Sequence, residues 1–324
     1  MIHHQEIQAL CAGRPVAIVG AGLVGAGWAI VFARAGLNVK MFDANPEITR
    51  KAVPLIEAQL EGLRRQGLID EDPAAVLARI TPVPALADAV DGVAYVQESV
   101  LERVEVKRQL MMELDALVSP DVVVGSSTSG IPGSAFALGL SISPRVLIAH
   151  PVNPPYLVPV VELVPSPETA QGTVDFADAL MRAVGQAVVH VRKEVEGFVL
   201  NRLQAVLLRE AWALVQDGVA TCEDVDKTIR DGLGWRWSFM GPFETIDLNA
   251  PGGVADYAVR LGPLYQRIAH SRSHETPWDA DLIGQVETHR REHLSQADLE
   301  ARRAWRDERL MEFAATRRAQ DPRT

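Results

Sequence analysis

Val16-Ala17-Ile18-Val19-Gly20-Ala21-Gly22-Leu23-Val24-Gly25 is the stretch that decides the fold. Four consecutive apolar residues suit a short strand buried on both faces. The G-x-G-x-x-G that follows is weak evidence alone, but here it joins that strand to an apolar helix, the context a dinucleotide fingerprint demands. Gly20 permits the tight turn, Gly22 lets backbone approach a pyrophosphate, and Gly25 lets helix pack closely on strand. Leu23 and Val24 open the helix, whose unpaired N–H groups and dipole favour an anion. The segment 16–33 carries no charged side chain and approaches the length of a membrane span. Gly20, Gly22, Gly25 and Gly27 interrupt it, so strand, turn and helix is the better reading.

Outward from this stretch, a helix to about residue 35 is stopped by Gly36, and 38–43 is a second strand. Residues 46–67 have helical apolar spacing. The run 67–84 mixes acids and prolines and reads as a helical hairpin with loops. Strand-like runs recur at 93–97, 122–126, 146–149, 160–164 and 187–191, with a helix over 102–118. This alternation predicts an α/β fold with a mainly parallel sheet. From Phe198 onward strands give way to helices, including 201–215, a segment opened by Thr221 and Asp224 in a capping-box pattern, and an Arg-rich amphipathic stretch over 299–318. A boundary within 192–197 gives two domains, 1–194 and 195–324.

The 324 residues, 48% hydrophobic and 23% charged, suit a globular chain with a substantial core. A net charge of −10 argues against nucleic-acid or acidic-membrane partners. Cys11 and Cys222 make neither a disulfide framework nor a zinc site, so a reducing, cytoplasmic setting is expected. His3, His4 and Glu6 near the start replace the basic and apolar regions of a secretory signal, and none is expected.

Asp43 follows Gly25 by 18 residues and ends the second strand. A carboxylate there accepts hydrogen bonds from ribose hydroxyls and repels a 2′-phosphate, which favours NAD over NADP. The alternatives are FAD or a glycine turn that binds nothing. His150 lies at the end of a strand, where open α/β sheets bind ligands, and suits a proton carrier near neutral pH. Glu162 is the lone acid in Val160-Val161-Glu162-Leu163-Val164 and needs a buried partner. By themselves, His150 reads as well as a satisfied core histidine, and Glu162 as a structural ion-pair member.

With these segments, Ser126-Ser127-Thr128-Ser129, His150-Pro151-Val152-Asn153 and Gly197-Phe198-Val199-Leu200-Asn201-Arg202-Leu203 resemble the 3-hydroxyacyl-CoA dehydrogenase superfamily. Within it, the stretches 150–156, 161–169, 241–245 and 301–308 are similar to the branch of λ-crystallin and L-gulonate 3-dehydrogenase. The resemblance spans nearly the whole chain. It implies a Rossmann-type doubly wound sheet followed by an all-helical, dimer-forming C-terminal domain. It implies that His150 is the general acid/base, Glu162 its partner, Ser129 a contact to the reacting hydroxyl and Asn201 an orienter of substrate. Asn153 is implied to support the histidine loop or nicotinamide, and Glu98, Lys107 and Ser127 to belong to the cofactor site. The implied reaction oxidises a hydroxyl β to an acyl carbon: His150 takes the proton while hydride passes to NAD.

The substrate rests on Arg236, between Trp235 and Trp237 in an apolar segment. A guanidinium among aromatics needs a desolvated partner, and a substrate carboxylate would pair with it bidentately. The competing readings are a cation–π stack or an ion pair with Glu210 or Asp231. Three functions therefore stand: a 3-hydroxy-acid dehydrogenase of the L-gulonate type, a 3-hydroxyacyl-CoA dehydrogenase using Arg50, Lys51, Arg64 and Arg65 for CoA, or a non-catalytic crystallin-like or NAD-sensing scaffold. Retention of Ser129, His150, Glu162 and Asn201 favours an enzyme. His289 and His293 have i, i+4 spacing but read as a solvated helix face rather than a metal site. Trp305 among arginines reads as helix packing rather than a nucleic-acid surface.

Overall fold

The computed structural model describes residues 4–272 and 277–320. Among them, eight strands form one sheet: β1 Val16–Val19, β2 Val39–Phe42, β3 Ile80–Pro82, β4 Tyr95–Glu98, β5 Val123–Ser126, β6 Val146–Pro151, β7 Val160–Pro165 and β8 Ala187–His190. Their order is β3-β2-β1-β4-β5-β6-β7-β8. All neighbours are parallel except β6 and β7. Alternate residues of β1 face opposite sides, as strand geometry requires. Val16 and Ile18 join a core with the Leu23–Arg34 and Pro46–Arg65 helices, while Ala17 and Val19 join one with Met111 and Leu114 of the Val104–Leu117 helix. Each face of the sheet is thereby covered, which is why the strands read as continuous apolar runs.

The expected helical hairpin over 67–84 is corrected. Only Pro73–Leu77 is helical there, and Ile80–Pro82 pairs with β2 at the sheet edge. Pro82 is tolerated because an edge strand need not donate on its outer side.

The chain divides into a unit of residues 1–203 with 303–324 and a unit of residues 204–302. This partition differs from the two-domain reading in that the last helix, Leu299–Gln320, belongs mostly to the first unit. Its Met311 side chain fits against Gly62, where a β-carbon would lie 3.0 Å from Met311 Cε. Arg318 donates to the carbonyls of Gly67 and Leu68 and meets Asp70 at 3.2 Å.

Helices are the only regular elements of the second unit among its described residues. Thr221 caps the Cys222–Lys227 helix by accepting from the Asp224 N–H. Trp212 stacks on Trp278 with centroids 4.3 Å apart, and Arg272 bridges Glu210 and Asp217 at 3.0 and 2.6 Å. No helix among the described residues is long and apolar enough to cross a membrane.

Candidate active site

The sheet order reverses between β1 and β4, and ligands bind outside the carboxyl ends of strands at such a point. Gly20 there has φ +97°, and a β-carbon on it would lie 2.5 Å from the Ser99 carbonyl. A β-carbon on Gly25 would lie 1.8 Å from the Gly20 oxygen, so only glycine permits this helix start. A β-carbon on Gly22 would meet nothing within 4 Å, which leaves the backbone open to a ligand. Gly22 offers no side-chain cap to the Leu23–Arg34 helix, so the N–H groups at its start are left for an anion. Asp43 accepts from the Ala21 and Asn45 N–H groups at 2.8 and 2.9 Å. It thus braces the glycine turn and presents its carboxylate beside it. These residues fit the adenosine and pyrophosphate portions of NAD.

Glu98 and Lys107 form a buried ion pair. Their side chains are 0% and 1% exposed and pair at 2.8 Å. Glu98 also accepts from the Val100 N–H at 2.7 Å and from the Ser126 hydroxyl. The pair is satisfied from within the fold and holds the loop after β4.

Register builds the catalytic pair. His150 and Glu162 stand directly opposite each other on antiparallel β6 and β7, which puts both side chains on one face. His150 Nδ1 lies 2.8 Å from Glu162 Oε2, and both residues are buried. The other carboxylate oxygen, Oε1, accepts from the Val199 and Leu200 N–H groups at 2.8 and 2.9 Å. Burial by itself pushes the Glu162 carboxyl up. The hydrogen bonds from His150, Leu200 and Val199 together outweigh it and hold the group below the usual glutamate range.

The two donors are aimed by a backbone that side chains rarely adopt: Gly197 has φ +73° and Phe198 φ +50°. Phe198 is fully buried, with its ring 5.7 Å from the His150 ring. Three residues on, Asn201 donates from Nδ2 to the Ser129 carbonyl at 2.6 Å. Residues 199–201 therefore connect the His150–Glu162 pair to the Ser129–Asn201 pair.

Sequence reasoning missed Glu102. Its Oε1 accepts from the N–H groups of Ser129 and Gly130 at 2.8 and 3.2 Å, and from the Thr128 and Ser129 hydroxyls at 2.7 and 3.1 Å. Burial opposes its charge, but these bonds and Lys107 at 3.5 Å keep it ionised below the ordinary range. A polar residue in the 102–118 helical stretch offers no pattern that marks it; the loop partners reveal it.

Asn153 is exposed, ahead of a cis peptide bond to Pro154. Ser127 is half-buried at the end of β5. Arg236 corrects an expectation: it is exposed, as are its neighbours Trp235 and Trp237. Glu210 pairs with Arg272 and Asp231 with Arg230, so neither holds Arg236. His293 lies 3.4 Å from Glu223, and His289 Nδ1 lies 3.5 Å from Cys222 Sγ. Among the described residues, no His, Cys, Asp and Glu group is arranged to hold a metal ion.

This glycine turn and His–Glu pair can be set beside known proteins. Residues 15–195 match the NAD binding domain of 3-hydroxyacyl-CoA dehydrogenase, and residues 197–291 match its C-terminal domain. λ-crystallin of Oryctolagus cuniculus is 40% identical over 315 residues, covering 96% of this chain and 98% of that one. L-carnitine dehydrogenase of Streptomyces coelicolor is 38% identical over 276 residues, covering 84% and 86%. The solved structure of 5-formyl-3-hydroxy-2-methylpyridine 4-carboxylic acid 5-dehydrogenase, an NAD+-dependent dismutase, superposes with TM-score 0.79 at 27% identity, covering 94% and 98%. The cofactor is NAD, and with both of its domains matched in order along its length, this chain belongs to the 3-hydroxyacyl-CoA dehydrogenase family.

Proposed function

We propose that the protein oxidises the β-hydroxyl of a 3-hydroxy acid bearing a free carboxylate, with NAD as the hydride acceptor. The observation that carries this reading is the His150–Glu162 contact at 2.8 Å, with the far carboxylate oxygen held by two backbone N–H groups. Glu162 is fixed as an ionised acceptor, so it orients the imidazole and stabilises the proton that His150 removes from the hydroxyl. The remaining ring nitrogen, Nε2, is the one left to face the substrate. Ser129 and Asn201 hold the reacting oxygen. Arg236, exposed and unpaired among the described residues, is the cation we assign to the substrate carboxylate.

Two of the four cations that a CoA group would call upon are already engaged. Arg50 pairs with Glu47 at 2.7 Å, and Arg64 donates to the Ile69 and Asp70 carbonyls. That supports the free acid. The family's own chemistry supports the thioester as a second reading, with Lys51 and Arg65 as its cations. Exposed Phe243, Val259, Trp235 and Phe239 in the helical unit support a homodimer. Two free cysteines fit a cytoplasmic setting.

The test is NADH formation with L-gulonate, L-3-hydroxybutyrate, L-carnitine and (S)-3-hydroxybutyryl-CoA, compared by kcat/KM. Preference for one of the free acids is expected. Preference for the thioester would make the CoA reading correct, and NADH binding with no turnover of any would favour a non-catalytic scaffold.

A further inference from the structure

Behind the cofactor edge lies a polar chain that the catalytic pair does not use. Tyr95 opens β4, Gln97 lies near its carboxyl end and Gly125 near that of β5, and all three are buried. The Tyr95 hydroxyl is 2.6 Å from Gln97 Oε1. Gln97 Nε2 is 2.7 Å from Ser127 Oγ and 3.3 Å from the carbonyl of Ala149, the residue before His150. Ser127 Oγ is 2.8 Å from Ser99 Oγ. A β-carbon on Gly125 would lie 1.9 Å from the Tyr95 oxygen, so the phenol reaches Gln97 only because position 125 has no side chain.

From Tyr95 to Ser127 the donors and acceptors have one consistent assignment, while either serine can donate in the Ser99–Ser127 bond. The Ala149 carbonyl can only accept, so the amide nitrogen of Gln97 must face it, and Oε1 must face Tyr95. Tyr95 then donates, and burial keeps its phenol protonated by pushing it far above its ordinary range. Gln97 therefore donates to Ser127, and Ser127 Oγ is an acceptor in that bond. Ser99 and Ser127 have two hydroxyl protons between them, and their mutual bond uses one. Neither hydroxyl has a further partner among the described residues, so one proton is left to be donated outward beside the glycine turn.

We infer that Gln97 is a positioning residue for the cofactor: held by Tyr95, its carboxamide donates to Ser127 and so orients the Ser127–Ser99 pair, whose one remaining hydroxyl proton donates to an oxygen of the bound dinucleotide. This rests on the reading that Ser127 borders the cofactor. It also ties the strand end that carries His150 to the same carboxamide.

The test is a double-mutant cycle on NADH affinity, read by nucleotide fluorescence, with Tm measured alongside. Ser127→Ala and Gln97→Leu should each weaken NADH binding roughly three- to tenfold, the range of one neutral hydrogen bond. The double variant should bind about as weakly as either alone, because one substitution acts through the other. Gln97→Glu keeps the volume but has no amide proton to give Ser127, and should weaken binding as Gln97→Leu does. If Gln97→Leu does not fold, Tyr95→Phe keeps the ring and cuts the same relay, and should shift affinity in the same direction by a smaller factor. Additive losses, or weakened binding in Ser127→Ala with none in the Gln97 and Tyr95 variants, would overturn the relay while leaving Ser127 at the cofactor. Unchanged affinity in Ser127→Ala would overturn the placement of Ser127, and the relay with it.

Discussion

Glu162 and Arg236 are the charged residues to which the proposed function gives the proton relay and the substrate carboxylate, and they stand in opposite surroundings. Glu162, in the unit built on the sheet, is 1% exposed and takes hydrogen bonds from His150, Val199 and Leu200. Arg236, in the unit of residues 204–302, is exposed and unpaired among the described residues. A buried charge must be satisfied from within its own fold, so its partners are present whether or not a ligand is bound. An exposed cation gains a strong partner only when something covers it. On the proposed function, the proton chemistry rests on preorganised geometry and the choice of substrate on a group that the ligand itself must engage.

The largest effect that could break this comparison is at His150. In His150→Gln, kcat should fall about 10²–10⁴-fold, the usual worth of a positioned acid/base, while NADH affinity stays unchanged. Turnover within a few-fold of wild type would remove the proton relay from the account. Glu162→Gln should lower kcat less, about 10–100-fold, since it orients another group.

The same substitution sharpens the electrostatic half of the contrast. Folding holds the Glu162 carboxyl below its usual range. Its contribution to stability is therefore present above the unfolded value, about 4.3, and is lost as pH falls through the lower folded value. Thermal melts should show wild type losing stability over that acid window and Glu162→Gln losing less. Parallel curves would mean that the carboxylate is not specially stabilised. Smaller still is Gly62→Ala. Its β-carbon would press on the flexible end of Met311, so Tm should fall by about 2–4 °C or less. A larger fall would show that the last helix is held more rigidly than a methionine contact implies.

Much of the first unit was legible because its signals are local or periodic. β1 and its glycine turn announce themselves by a run of apolar residues and a spacing. Glu162 stands out as one acid in an apolar strand, and the strand ending at His150 supplies its partner by register. The parts that escaped depend on neighbours distant in sequence. Ile80–Pro82 is three residues ending in proline, too short to show an alternation, and is a strand only because β2 offers an edge. Lys107 pairs with Glu98 inside the fold, and polar Gln97 and Glu98 closing an otherwise apolar strand are the available hint of that pairing. Glu102 gives no such hint, since its partners are loop groups at residues 128–130. The return of the last helix to the sheet unit needs the space beside Gly62, which nothing in the helix itself encodes.

The division of labour between the two units is tested most directly by Arg236→Met, assayed by kcat/KM on a free 3-hydroxy acid and on (S)-3-hydroxybutyryl-CoA. Loss of a charged hydrogen bond to the substrate carboxylate should lower kcat/KM for the free acid about 10–100-fold and leave the thioester nearly unchanged. Equal losses on both substrates, or no loss on the free acid, would contradict the assignment of substrate choice to the helical unit.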